Sequence, residues 1–126
     1  MTMIDKDQFN EMLRERTLRM AIQIHRLFRS KRILQINRPM VNQVIRSSSS
    51  VAANFRAATR ARSDAEFYAK ICIATEECDE TQFWLDYLIR IEVLTSEECT
   101  QERKEVEEEV KIFSSIKRKM KNKIHT

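Results

Sequence analysis

The chain has 126 residues, no glycine and a single proline, where average usage of ~7% glycine would give about nine. Without glycine, hairpin turns, Walker loops and dinucleotide-binding turns lose the residue that supplies positive φ or close phosphate approach, which excludes sheet-rich and nucleotide-cradling folds. Net charge is only +4, but residues 12–62 carry twelve Lys/Arg against Glu15 alone, whereas residues 63–110 carry four basic and fifteen acidic residues.

The elements run in chain order as follows. Segment A, about 5–31, sets Phe9, Leu13, Met20, Ile24 and Leu27 on one helical stripe. Lys31 and Arg32 then lead to Pro39, which suits the first turn of a second helix. Segment B, about 39–60, places Val41, Val44, Ser48, Val51 and Phe55 at spacings of 3, 4, 3 and 4, a seam that runs straight through four consecutive serines. The serines are therefore read as helical and not as a linker. A serine costs only a few tenths of a kcal/mol against alanine in a helix. Together with Ala52 and Ala53, Ser47 to Ser50 make a thin face that lets a neighbouring backbone approach.

Segment C, about 64–93, opens on the capping box Ser63-Asp64-Ala65-Glu66. Phe67, Ile71, Ala74, Cys78, Thr81, Leu85 and Leu88 follow at unbroken 4-3-4-3-4-3 spacing, with nothing to break the helix before Thr95. Thr95-Ser96-Glu97-Glu98 opens segment D, about 96–121, whose inner face carries Val106, Val110, Phe113, Ile116 and Met120. From Lys117 to Lys123 five of seven residues are basic, and this tail (117–126) is expected to fray. Four amphipathic helices with short connections give an all-α, antiparallel up-down-up-down four-helix bundle in one domain spanning 1–126. No apolar run reaches the ~20 residues of a membrane span and no leader pattern is visible. Cys72, Cys78 and Cys99 are odd in number and form no CxxC pair, which reads as reduced thiols in a cytoplasmic protein.

Segment C is apolar on two sides. With its seam turned to the core, Ile73, Phe83 and Tyr87 face outward and Trp84 and Ile91 lie beside the seam. One reading is a long surface helix that tolerates scattered apolar residues. The other is a subunit interface, since aromatic residues are enriched there.

The chemistry that bundles commonly carry is missing. Di-iron bundles need Glu-x-x-His motifs, but Ile22 and Asn122 stand three residues before His25 and His125, so no metal or other cofactor is expected. Glu76, Glu77, Asp79 and Glu80 read either as a solvated acidic face or as a network in which Glu77 or Glu80 meets Arg46 or Arg56. No nucleophile motif accompanies the serines, and the sequence points away from an enzyme. The arginines are harder to dismiss. A solvated face mixes signs, whereas residues 12–62 hold eleven Arg, one Lys and one acid. Such a field suits the phosphates of a polyanion, and it equally suits the acidic half of a neighbouring subunit. The candidate nucleic-acid contacts are Arg29, Lys31, Arg32, Arg56, Arg60, Arg62, Lys117, Arg118, Lys119, Lys121 and Lys123. Of the oligomer interface, the candidates are Ile73, Phe83, Trp84, Tyr87 and Ile91.

The run RSSSSVAANFRAATRARSDAEFYAKICIATEECDETQFWLDYL resembles the signature region of a bacterial four-helix-bundle family. That family includes proteins encoded within intervening sequences of large-subunit ribosomal RNA genes (sometimes labelled S23 ribosomal protein) and the accessory variability determinants of diversity-generating retroelements. Ser47–Ser50, Ala52, Ala53 and Asn54 match its small residues and Asn late in the second helix. Ser63, Glu66 and Phe67 match its third-helix start, and Glu77, Asp79, Glu80, Trp84 and Leu85 its acidic run into an aromatic-leucine pair. The chain departs from the pattern after Asn54, where Arg56, Ala57 and Ala58 replace the acid and glycine of many members. The resemblance implies a ring-like homopentamer. For the retroelement branch it also implies an accessory factor that binds nucleic acid and a reverse transcriptase. The expectation is a non-enzymatic, homo-oligomeric bundle binding RNA or DNA through phosphate contacts, with a protein-interaction or assembly scaffold as the alternative.

Overall fold

The computed structural model describes residues 5–125, and among them lie four α-helices, one short 3-10 turn and no strand. Helix α1 spans Lys6–Phe28, α2 spans Arg38–Ala58, α3 spans Asp64–Arg90 and α4 spans Thr100–Ile124. The beginning and end of the expected domain, 1–4 and 126, lie outside the described residues.

Local chemistry sets each helix start. Asp5 and Gln8 form a reciprocal capping box, with the Gln8 amide on the Asp5 carboxylate at 2.8 Å and the Asp5 amide on the Gln8 side chain at 3.0 Å. Pro39 stands in the first turn of α2, after a 3-10 turn over Gln35–Asn37. The Ser63 hydroxyl accepts the Glu66 amide at 3.1 Å, so the serine half of the expected box caps α3. The Glu66 carboxylate reaches Arg62 instead, at 3.6 Å. The Thr95 hydroxyl accepts the Glu98 amide at 3.2 Å, yet the α-helix itself begins only at Thr100, four residues later than the T-x-x-E motif implies. Residues 95–99 form a hydrogen-bonded turn in which the Thr100 hydroxyl donates back to the Ser96 carbonyl.

The helix ends differ from expectation in an instructive way. Helix α1 stops at Phe28 and not near 31, because Ile33 turns back against the core and Lys31 pairs with Glu98 before α4. Helix α3 stops at Arg90 and not near 93. Glu92 takes a left-handed conformation at φ 67°, and the Glu92 and Val93 amides return to the Ile89 and Leu88 carbonyls at 3.0 and 2.9 Å. That is a Schellman stop, with glutamate where glycine is usual. Among the described residues Glu92 is the one with positive φ. At the other extreme, α4 does not fray at Lys117 but runs on to Ile124.

The seams read from the sequence face inward. Val41, Val44, Ser48, Val51 and Phe55 of α2 meet Ile71, Ala74, Cys78, Thr81, Leu85 and Leu88 of α3, all of them buried. Leu13, Met20 and Ile24 of α1 and Val106 and Phe113 of α4 complete the core, and Phe55 meets Phe113 edge to face at 5.7 Å across the bundle. The thin serine face lets α2 and α3 approach closely. Ser47 is fully buried, and its hydroxyl accepts that of Thr81 at 2.8 Å. Consecutive helices pack extensively, while α1 and α4 share the sparsest seam.

Candidate nucleic-acid interface

The basic residues singled out in the sequence fall into two groups at opposite ends of the bundle. Arg29, Lys31 and Arg32 lie where α1 gives way to α2. Arg29 and Lys31 line a shallow cavity there with His25 and Arg38. Lys31 is not free for a ligand, since it forms a salt bridge to Glu98 and, through its hydrogen bond, holds that carboxyl below the ordinary range. Arg56, Arg60 and Arg62 lie at the far end of α2, separated from the first group by 21 helical residues, about 30 Å.

At that far end, chain-distant segments come together. Arg56 and Arg60 are exposed and, with Arg14 of α1, border a groove of about 710 Å3 floored by Leu18, Ser49, Ala52 and Ala53. Glu11 and Glu15 mark its opposite rim. Around the corner Arg62 shares a second cavity with Lys119 and Lys123 of α4 and Lys6 of α1. Lys117, Arg118 and Lys121 continue the basic surface along the last turns of α4, Lys117 half-buried and the other two exposed. Asp64 pairs with Lys123 at 3.2 Å, an exposed contact that contributes little to stability.

The small residues of α2 therefore do two jobs. Ser47 meets Thr81 of α3 and Ser48 is buried inside the bundle, whereas Ser49, Ala52 and Ala53 line the outer groove against α1.

Elsewhere Arg16 and Arg46 are consumed internally. Arg46 bridges Glu77 at 3.0 Å and Glu80 at 2.6 Å, which settles the acidic run of α3 in favour of a network for those two carboxylates, with Arg46 and not Arg56 as the partner. Burial pushes the Glu77 carboxyl up. Burial acts the same way on Glu80 but is outweighed by hydrogen bonds from Arg46 and from the Trp84 indole at 3.3 Å, so that carboxyl is held low. Glu76 and Asp79 remain exposed.

One polar site was missed in the sequence. Glu109 of α4 is completely buried, and neither of its oxygens accepts a hydrogen bond among the described residues. Burial, then a hydrogen bond to Glu105, pushes its pKa up to about 10, so at neutral pH it is a carboxylic acid that donates its proton to Glu105. Burial raises the Glu105 carboxyl, but the bonds from Glu109 and Arg16 outweigh it and hold Glu105 ionised. Arg16 grips Glu105 with two nitrogens at 2.9 and 3.0 Å and reaches Glu108 at 3.4 Å, closing the sparse α1/α4 seam. The signal was present: Glu102, Val106, Glu109 and Phe113 recur at 4-3-4 spacing, which places two acids in an apolar seam.

On the outer face of α3 the expected aromatic ridge is assembled. Phe83 is 55% exposed and contacts the Trp84 and Tyr87 rings at 4.9 and 6.1 Å, while Trp84 and Tyr87 are half-buried. Ile73 and Ile91 are exposed on the same helix and at its end. All three cysteines are free, and burial raises the Cys78 thiol well above its ordinary range. Among the described residues no helix is long and apolar enough to cross a membrane.

The described residues form an all-helical bundle with one strongly basic end. Residues 10–115 match the family of 23S rRNA-intervening sequence proteins, and the chain belongs to that family. A crystal structure of a protein of unknown function from the S23 ribosomal protein family of Bacteroides thetaiotaomicron superposes with a TM-score of 0.72 at 33% identity, covering 82% of this chain and 96% of that one. No curated protein matches the chain.

Proposed function

We propose that this protein is a non-enzymatic, cytoplasmic bundle that associates with copies of itself through the α3 ridge and binds nucleic acid at its basic end as an accessory factor. The observation that carries this reading is the convergence of Arg62 with Lys119 and Lys123 of the last turns of α4, segments some sixty residues apart in the chain, around the corner from the groove that Arg56 and Arg60 border. Phosphates neutralised there release condensed counterions, so affinity depends steeply on salt and only weakly on sequence. The test is fluorescence-anisotropy titration of a structured RNA and of duplex DNA across a salt series, with wild type and with Arg56, Arg60 and Arg62 together changed to Gln. The expected result is a log–log slope near ~0.9 per duplex phosphate neutralised, flattened in the triple variant. No binding at low salt overturns it.

A second reading is favoured by the α1/α2 groove, whose small floor and mixed-charge rim suit an acidic, aromatic helix face such as the α3 ridge of another copy. On that reading the chain is an assembly scaffold with no nucleic-acid role. Solution mass at low and high salt separates the readings. An assembly held by charge dissociates in salt, and one held by Phe83, Tyr87 and Ile73 does not.

A further inference from the structure

The cavity at the basic end has a composition that plain phosphate binding does not require. It has a volume of about 430 Å3, within the range of about 300–1,000 Å3 typical of sites for small organic ligands. Its floor is apolar: Phe9 of α1, Phe67 of α3, and Ile116 and Met120 of α4, each half-buried, so their faces are offered to whatever enters. Its rim is cationic: Lys6, Arg62, Lys119 and Lys123, against the single acid Asp64. Asn10 stands on the wall, half-buried, and adds a side-chain amide to it. These groups come from the start of α1, the α2–α3 corner and the end of α4, and only the antiparallel return of each helix brings them together.

The pairing of features restricts the occupant. A duplex presents phosphates and hides its bases, so it satisfies the rim and leaves the aromatic floor wet. A purely apolar ligand fills the floor and makes no use of the cationic rim. An unpaired nucleotide carries both parts within one residue: a flat base that stacks on aromatic side chains and a phosphate that pairs with lysine or arginine. The ion pair that Arg62 now makes with Glu66, at 3.6 Å, is solvent-exposed and weak enough to yield to a phosphate.

We infer that this cavity is the seat of an unpaired nucleotide of a single-stranded nucleic acid, its base against Phe67 and Phe9 and its phosphate on Lys119 and Arg62. The inference rests on the nucleic-acid reading given above and deepens it, because it makes the preferred ligand single-stranded.

The experiment compares a fluorescent single-stranded oligonucleotide with an abasic strand of equal length and charge, at fixed salt. It uses the full chain, together with Phe67→Leu and, separately, Phe9→Leu, each checked for native helicity. Leucine keeps the floor apolar and removes the ring. Wild type should bind the base-bearing strand about tenfold more tightly than the abasic one, the size of one stacking contact. The leucine variants should lose that preference and keep the salt-dependent affinity shared by both strands. Equal binding of the two strands by wild type overturns the inference while leaving phosphate binding intact. A preference that survives in both variants also overturns it. Binding to neither strand removes the nucleic-acid reading itself.

Discussion

Replacing Glu109 by glutamine removes the one completely buried carboxyl among the described residues, keeps its shape, and leaves an amide that still donates to Glu105. The folded carboxyl is raised from an ordinary 4.5 to about 10, so between those values the folded state holds one proton more than the unfolded chain. Stability contributed by a raised pKa is complete below the unfolded value and is lost as pH rises toward the folded one. At 1.36 kcal/mol per unit, the 2.5 units between 4.5 and pH 7 put the cost at pH 7 at about 3 kcal/mol. Urea melts of wild type and Glu109→Gln at pH 6, 7, 8 and 9 read this directly. The variant should be more stable by up to about 3 kcal/mol at pH 7, with a gap that widens by about 1.4 kcal/mol per pH unit. A variant that is less stable than wild type, or a gap that does not change with pH, refutes the reasoning and means that Glu109 is ionised and paired in the fold.

Four other outcomes are expected. Ser47→Leu, at a fully buried position of α2 whose hydroxyl meets Thr81 of α3, should overpack the seam and cost about 1–3 kcal/mol in denaturant melts; a neutral result means that α2 and α3 are not closely apposed there. Thr81→Val keeps the shape but removes the hydroxyl that meets Ser47 and the Glu77 carbonyl, both at 2.8 Å, and should cost about 1 kcal/mol. Glu92→Gly relieves the one left-handed non-glycine residue among those described and should raise stability by about 1 kcal/mol, read as a higher urea midpoint at unchanged slope. Phe83→Asp, at a side chain that is 55% exposed, should change the stability of the fold by less than about 0.5 kcal/mol and lower the mass measured by light scattering; an unchanged mass removes Phe83 from any subunit interface.

The sequence by itself determined the helices and their inner faces. Each seam repeats at three and four residues, and that period is a local property of a helix, so Phe55, Leu85 and Phe113 were placed inward without knowledge of their partners. One helix start was legible too, because a cap is a contact between residues three apart, as at Ser63. Ends were less so. The stop after Arg90 depends on Glu92 accepting a strained φ, a cost that local composition argues against and that the need to turn α4 back onto the core overrides. The family signature was also readable in residues 45–90, since it is a pattern of residue types along α2 and α3.

What only the tertiary structure decided is which charges are spent and which are left. The count of twelve cations in residues 12–62 treats them alike, yet Arg16 and Arg46 are bound to carboxylates of α4 and α3, and Lys31 is tied to Glu98. Arg56 and Arg60 instead border an open groove, and Arg62 joins lysines from the far end of the chain around an apolar floor. Charge pairing falls off within a few ångströms and is indifferent to separation along the chain. A sequence can therefore give the sum of charges in a region, but their partners exist only once the four helices have packed.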